Sequence, residues 1–460
     1  MSSAELLLRR AAELRKDVGG VHESLTKDVY ETASKIAGAC VSGTDSRNRL
    51  EMRLDRILTS KLWGFPIMLA LLAGVFWVTI EGANVPSQML ASGLFWIEDQ
   101  LAYAFQAVSA PAWLEGLLVH GVYRSLAWVV SVMLPPMAIF FPTFTLLEDL
   151  GYLPRVAFNM DRLFKKAGAH GKQALSMSMG FGCNAAGVIA TRIIDSPRER
   201  LIAIITNNFV PCNGRWPTLI MLATVFVAAA FPPSVGSVVA ASSLVGLVLF
   251  GILVTLVVSA LLSRTVLKGV PSAFSLELPP YRKPQLLRVL YTSLIDRTIF
   301  VLWRAVVWAI PCGAVAWIIA NISIGDATIM AHIVGFLDPL GRAIGLDGVI
   351  LLAYIVAIPA NEIVVPTMLM AYMNVDRMIE IDDMTQLRHL LIYEHGWTTL
   401  TAVSLMLFSL LHNPCSTTIW TIFKETGSKR WTALATFLPL VIAFAVCFIV
   451  AQTARLLGLG

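Results

Sequence analysis

The stretch SMSMGFGCNAAGVIATR at residues 176–192 decides how this chain is read. It is apolar enough to enter a bilayer, yet Gly180, Gly182, Cys183 and Asn184 fall at its middle, where glycine loosens a helix. A second stretch, IVAIPANEIVVPT at 355–367, is interrupted in the same way by Pro359, Asn361 and Glu362. Each is followed by an apolar run broken at Pro-Cys: Pro211-Cys212-Asn213 after the first, Pro414-Cys415-Ser416 after the second. One pattern thus occurs twice. Interruptions at matching places in two halves of a membrane chain point to the binding site of a transporter.

Hydrophobic residues make up 57% of the 460 and charged residues 14%, with a mean hydropathy of +0.72, which places the chain among all-α polytopic membrane proteins. Runs at 62–80, 125–147, 236–262, 299–322, 348–372 and 431–457 reach the ~20 apolar residues that span a bilayer core. Interrupted runs cover 173–191, 201–231 and 398–423, and weaker ones at 89–118 and 327–344 read as interfacial or re-entrant. By that span length the chain is expected to hold about nine to eleven membrane helices. The formal charge of +5 is too small, and too confined to loops, to suggest nucleic-acid binding. The first 60 residues lack the apolar core of a signal peptide. Six cysteines with no C-x-x-C pair argue against a disulfide framework or a zinc ribbon.

Four regions follow in order. Residues 1–60 read as a cytosolic helical segment, LLLRRAAELRKDV and a second charged helix, with a capping role or a docking surface for a soluble partner. Residues 61–265 hold a first repeat with its preceding membrane helix, 266–298 a Pro-rich linker with an interfacial helix, and 299–460 a second repeat with a C-terminal membrane helix. The basic run within LLEDLGYLPRVAFNMDRLFKKAGAHGK makes that loop cytoplasmic, and with it the N-terminus. AHGKQA is not a phosphate-binding loop, because the first Gly and the Ser/Thr of that motif are missing. The segment NVDRMIEIDDMTQLRHLLIYEHG in the second repeat reads as an excursion outside the bilayer.

Irregular backbone survives in hydrocarbon only where it is buried in protein or lines a cavity. Breaks at Pro211, Pro359 and Pro414 free carbonyls, and half-helix C-terminal ends attract cations. Near them stand Cys183, Cys212 and Cys415, the amides of Asn184 and Asn361, and the carboxylate of Glu362. Sulfur with amide oxygen and one carboxylate suits a divalent transition metal, thiolate favouring softer or borderline ions and carboxylate harder ones. An intramembrane carboxylate is costly unless it is used. Asn213, Asn413, Glu148 and Asp149 are secondary candidates, the two acids also fitting a headgroup-level position. Cys312, Cys447 and the methionines read as packing.

At these residues the chain resembles the membrane domain of the ferrous iron transport protein B family. The resemblance rests on DRIL, LLEDLGYLPRVAFNMDRLF, HGK, GFGCN, ATRIIDSPRERL, the Pro-Cys at Cys212, LELPPYR, NPCSTT and KETGSKRW, in that order from Asp55 to the C-terminus. It implies two inverted gate-type repeats with discontinuous helices, Fe(II) as the transported ion, a multi-pass place in the cytoplasmic (inner) membrane, and pore-lining positions for Cys183, Cys212 and Cys415. It also implies partners: membrane lipid, a ferrous iron transport protein A-like protein, a second copy in a homo-oligomer, and a separate small GTPase. The family's GTPase domain has no counterpart in residues 1–60, so no nucleotide is expected to bind this chain. Departures are Asn361 where the family commonly has Lys before the Glu, and CNAAG in place of Cys-Asn-Val-Pro. Two other functions fit the broken helices: carriage of a nucleoside or similar polar solute, and a non-transporting membrane scaffold or sensor.

Overall fold

A computed structural model describes residues 21–40, 46–60, 62–269, 281, 284–375, 377–379, 381 and 383–458. The helix expected at LLLRRAAELRKDV and residues 270–280, 282 and 283 of the Pro-rich linker lie outside them. Two helices, α1 (Val21–Cys40) and α2 (Ser46–Leu58), precede the bundle. A long antiparallel pair follows, α3 (Gly64–Ala107) and α4 (Ala112–Asp149), in which Gly82 faces Ile139 and Glu98 meets Arg124. The weak run at 89–118 is therefore mostly the second half of α3, and no re-entrant segment. Next comes the amphipathic α5 (Tyr152–Lys166), with Lys165 and Lys166 in its last turn.

The interrupted stretch at 176–192 folds as a re-entrant hairpin, α6 (Gln173–Gly182) and α7 (Asn184–Ala190). A Cβ at Gly187 would press on the Ser176 carbonyl, so the two helices double back on each other. Lys172 Nζ fastens the ends of the hairpin, donating to Ile193 O at 2.9 Å and Asp195 at 2.9 Å. These ends mark the near face of the bundle. α8 (Pro197–Thr206) starts there with Ser196 as its N-cap, Pro197 at the first position and Glu199 at the third, a capping-box sequence. It breaks over 207–215 and resumes as α9 (Trp216–Leu222), and α10 (Pro233–Arg264) returns to the near face.

The second half is inverted. α11 (Leu286–Asn321) crosses to the far face and turns through a short β-hairpin, in which Ser323 pairs with Thr328. The amphipathic α12 (Ile329–Ala343) runs into α13 (Gly348–Val356) with a bend of 111°. α13 and α14 (Val364–Tyr372) make the second hairpin, whose two ends are joined by Tyr372 Oη and the Asp347 carboxylate, with Trp397 Nε1 donating to Tyr372 Oη at 2.9 Å. After α15 (Met384–His389) come α16 (Thr399–Leu411) and α17 (Ser416–Thr426), a broken span running back to the near face, and finally α18 (Lys429–Leu456). The hairpins therefore enter from opposite faces.

Among the described residues five helices are long and apolar enough to cross a membrane, or six if the bent α12–α13 pair counts as one. The expectation of nine to eleven counted the interrupted runs as whole spans. In the structure those runs are half-helices, each too short to cross unaided. NVDRMIEIDDMTQLRHLLIYEHG packs onto the bundle: Met378, Leu387, Leu390 and Leu391 are buried, and Arg124 Nε donates to the Met378 carbonyl at 2.6 Å.

On the near face, outside the membrane, Asp55 of α2 accepts from Arg155 Nε at 3.0 Å and from Tyr281 Oη at 2.8 Å. The Arg155 guanidinium also lies 4.1 Å from the Tyr281 ring. Burial alone would raise the Asp55 carboxyl, but the hydrogen bonds from Arg155 and Tyr281 outweigh it and hold it below the ordinary range. A depressed carboxylate stabilises above its unfolded pKa of about 3.9 and loses that contribution as pH falls through the lower folded value. Protease protection of α2 is accordingly expected to weaken below about pH 4 in the native chain. In Asp55→Asn the protection at neutral pH should already be reduced and nearly independent of pH in that window.

Candidate functional site

The two hairpin tips share one local geometry. Cys183 is extended at φ −153°, ψ 126°, and Ala360 at φ −151°, ψ 115°, and each is followed by asparagine. Cys212 and Cys415 are likewise extended, at φ −88°, ψ 171° and φ −66°, ψ 160°, where α8–α9 and α16–α17 break. A residue in extended geometry points away from the helix axes on either side of it. Four interruptions placed together at the centre of the bundle therefore present their side chains to one space.

That space is a small cavity of about 30 Å³, bordered by Cys183, Asn184, Cys212, Asn361, Glu362 and Cys415 together with Thr417 and Thr418. It has room for about one water-sized particle. All six primary residues singled out from the sequence lie on its wall. Asn361 Nδ2 sits 3.9 Å from the Cys212 sulfur, and Cys415 Sγ is 3.3 Å from Thr418 Oγ1. Asn184 Nδ2 donates to Asn208 Oδ1 at 3.3 Å, while the buried Asn184 Oδ1 has no partner among the described residues. Its free lone pairs suit a cation. Among the described residues, however, no three His, Cys, Asp or Glu side chains converge closely enough to hold a metal ion. The sulfurs border one hollow but form no closed cage.

Two residues that the sequence reading passed over hold this centre together. Arg215, 1% exposed, sends Nη1 to the carbonyls of Asn208 and Leu410, each at 2.8 Å. Its Nη2 reaches Asn208 Oδ1 and the His412 carbonyl, both at 3.1 Å, and the Asn413 carbonyl at 3.3 Å. The guanidinium thus caps the C-terminal end of α16, where partial negative charge gathers. His412 places Nε2 3.2 Å from Asn361 Oδ1 and Nδ1 2.9 Å from the Ser409 carbonyl. Asn208 Nδ2 donates to the His412 carbonyl at 2.6 Å, and Asn207 Nδ2 to the Asn184 carbonyl at 3.1 Å. The available signal was Arg215 itself, a charge inside an apolar run.

The secondary candidates fall elsewhere. Glu148 and Asp149 are exposed at the near end of α4. Asn413 Nδ2 turns to the Pro414 carbonyl at 3.3 Å, and its own carbonyl accepts from Arg215. Asn213 faces a separate cavity of about 360 Å³ toward the far face, bordered also by Trp128, Trp216, Ile379 and Leu387. Cys312 and Cys447 donate to the Val356 and Ser404 carbonyls, at 2.7 and 3.4 Å, as packed thiols.

A family model described as Gate, nucleoside recognition, matches residues 130–226 and 285–429, together just over half of the chain. A second, the ferrous iron transport protein B C terminus, matches 244–296. The Fe(2+) transporter FeoB of Staphylococcus aureus (strain COL) is 29% identical over 428 residues, covering 90% of this chain and 60% of that protein. The Fe(2+) transporter FeoB of Methanocaldococcus jannaschii is 27% identical, covering 97% of this chain and 65% of its own. An Fe(2+) transport protein A/Fe(2+) transporter FeoB fusion protein of Porphyromonas gingivalis is 28% identical, covering 86% of this chain and 51% of the fusion. The chain thus spans about 60% of the length of the Staphylococcus relative. No solved structure matches.

Removing the Arg215 fork would strand several buried carbonyls at once, each costing about 1–3 kcal/mol. Arg215→Met should therefore lower the stability of the detergent-purified protein by on the order of 3 kcal/mol or more, read as a fall in its unfolding midpoint. Asp149→Asn, at an exposed helix end, should leave the midpoint unchanged to within about 0.5 kcal/mol.

Proposed function

The chain belongs to the Gate family of nucleoside recognition, and from that premise we propose that it is a permease for a divalent transition metal, Fe(II), which passes the cavity between the two hairpins. The observation that carries this reading is that Cys183, Cys212, Cys415, Asn184, Asn361 and Glu362 all border one small space of about 30 Å³. Small-molecule sites run to roughly 300–1,000 Å³, so a nucleoside does not fit there, whereas a bare ion does. The names carried by the relatives support iron as the cargo.

The donor set has the mixed character Fe(II) accepts: sulfur from Cys183, Cys212 and Cys415, amide oxygen from Asn184 and Asn361, and charge from Glu362. A transit site must also release its ion, which an open, unconverged set of donors does better than a four-thiolate cage. Binding a thiol displaces its proton, so flux rises with pH wherever that step limits it. The near face carries Arg155, Lys165, Lys166, Lys172, Arg192 and Arg200, and by the positive-inside tendency it is the cytoplasmic one. The N-terminal helices then lie in the cytoplasm. There α1 presents Leu25, Val29 and Ile36 to solvent, a surface suited to a separate small GTPase or a ferrous iron transport protein A-like partner. The fusion carried by the Porphyromonas relative supports the second of these.

Fe(II) uptake into proteoliposomes tests the reading directly. Cys183→Ser and Glu362→Gln should each cut the initial rate by about tenfold or more, the scale of losing one ligand or one buried charge at a metal site. Cys312→Ser and Cys447→Ser should leave it near the native value. Unchanged uptake in both cavity variants, or a native protein that carries a nucleoside and no metal, would remove the proposal.

A further inference from the structure

Between the small cavity and the far face stands a partition built from two turns of chain. On the first turn, Cys212 and Gly214 face the cavity, whereas Asn213, Trp216 and Pro217 face the 360 Å³ space beyond. On the second, Pro359, Ala360 and Asn361 face the cavity, and Val365, Pro366 and Leu369 face outward. Among the described residues only Glu362 borders both spaces. Its carboxylate is seated against Gly214, where any Cβ would collide with Oε1. The outer space is walled by Ile379, Met384 and Leu387 of the far-face segment and has exposed residues, Asn84, Thr224 and Met384, on its rim.

We infer that the outer space is the far-side antechamber of the permeation path and that Glu362, closing against Gly214, is the gate between it and the cysteine cavity. The inference deepens the permease reading and rests on it for the identity of the ion, but the gate has its own geometry. A carboxylate suits the position because it can take an arriving dication from the antechamber and carry it across by a change of side-chain rotamer. An apolar plug of the same size would block the ion without attracting it. The missing side chain at 214 leaves the seat in which the carboxylate rests when the partition is shut.

Thiol accessibility tests this without any metal. In a full-length chain retaining Cys212 as its sole cysteine, a membrane-impermeant trimethylammonium-ethyl methanethiosulfonate applied from the far face should label Cys212 slowly. Glu362→Ala should speed that labelling by about tenfold or more, because thiol reactivity follows exposure. Glu362→Ser is the second variant and should do the same, while Glu362→Gln, equal in size, should stay slow. Thr224→Cys, introduced as the sole cysteine, should label rapidly whatever stands at 362. Equal Cys212 labelling with and without the carboxylate, or a Thr224→Cys thiol unreachable from the far face, would overturn the gate. Fe(II) uptake by the native chain, with its cysteines and Glu362 intact, separates the two ideas: gated labelling with no native iron flux sinks the cargo and spares the gate, and native flux with ungated labelling does the reverse.

Discussion

A helix broken inside hydrocarbon leaves amides and carbonyls that water cannot reach, and the whole centre of this molecule follows from that constraint. Four breaks occur, and each is completed largely by the others. Ser416 N donates to the Ile358 carbonyl at 2.9 Å, joining the start of α17 to the second hairpin tip. Asn207 serves the tip of the first hairpin, and Asn208 with Arg215 serves the end of α16. No single break could stand alone at such a cost. The cavity is what remains where the four fail to fill the middle, so the site and the fold's central solution are one feature.

The halves share a backbone plan but not their chemistry. The first hairpin brings Cys183 before its asparagine; the second brings Ala360 and then adds Glu362 after Asn361. Soft sulfur therefore stands on the first tip and a hard carboxylate on the second, with one further cysteine on each broken span. Arg215 adds asymmetry of another kind, a buried positive charge whose hydrogen bonds go to carbonyl and amide oxygens. It places that charge on the α16 side of the cavity, opposite in sign to Glu362.

How much of this the sequence disclosed depends on the scale at which it is read. The repeated Asn and Pro-Cys interruptions are local, and a glycine or proline that breaks an apolar run costs helix stability unless the break is used. Cys183, Cys212, Asn361, Glu362 and Cys415 could therefore be grouped from the residues alone. Helix count was less legible, because hydropathy over 201–231 or 398–423 sums two half-helices as if they were one. Arg215 was hidden by its neighbours: in PCNGRWP the Pro-Cys-Asn drew the reading, and its five acceptors come partly from residues about 200 positions away. The acidic appearance of 374–396 likewise concealed Met378 and Leu387, which a window average counts as minor and the fold uses as packing.

The near face is tied together by ion pairs between stretches far apart in the chain. Glu425, 5% exposed at the end of α17, receives Arg192 of the first hairpin at 2.6 Å and Arg200 of α8 at 2.8 Å. Asp55, Arg155 and Tyr281 make a second tie among α2, α5 and the linker. Both ties draw together stretches far apart in the chain, and both lie on the face opposite the 360 Å³ cavity. Arg192 is 64% exposed, and pairs in that setting contribute no more than about 1 kcal/mol each. A clamp assembled from several such contacts is strong only in sum, and it can be loosened one contact at a time. The Arg215 network lies deeper, with the guanidinium 1% exposed, so breaking it strands buried carbonyls and costs far more than loosening a surface pair.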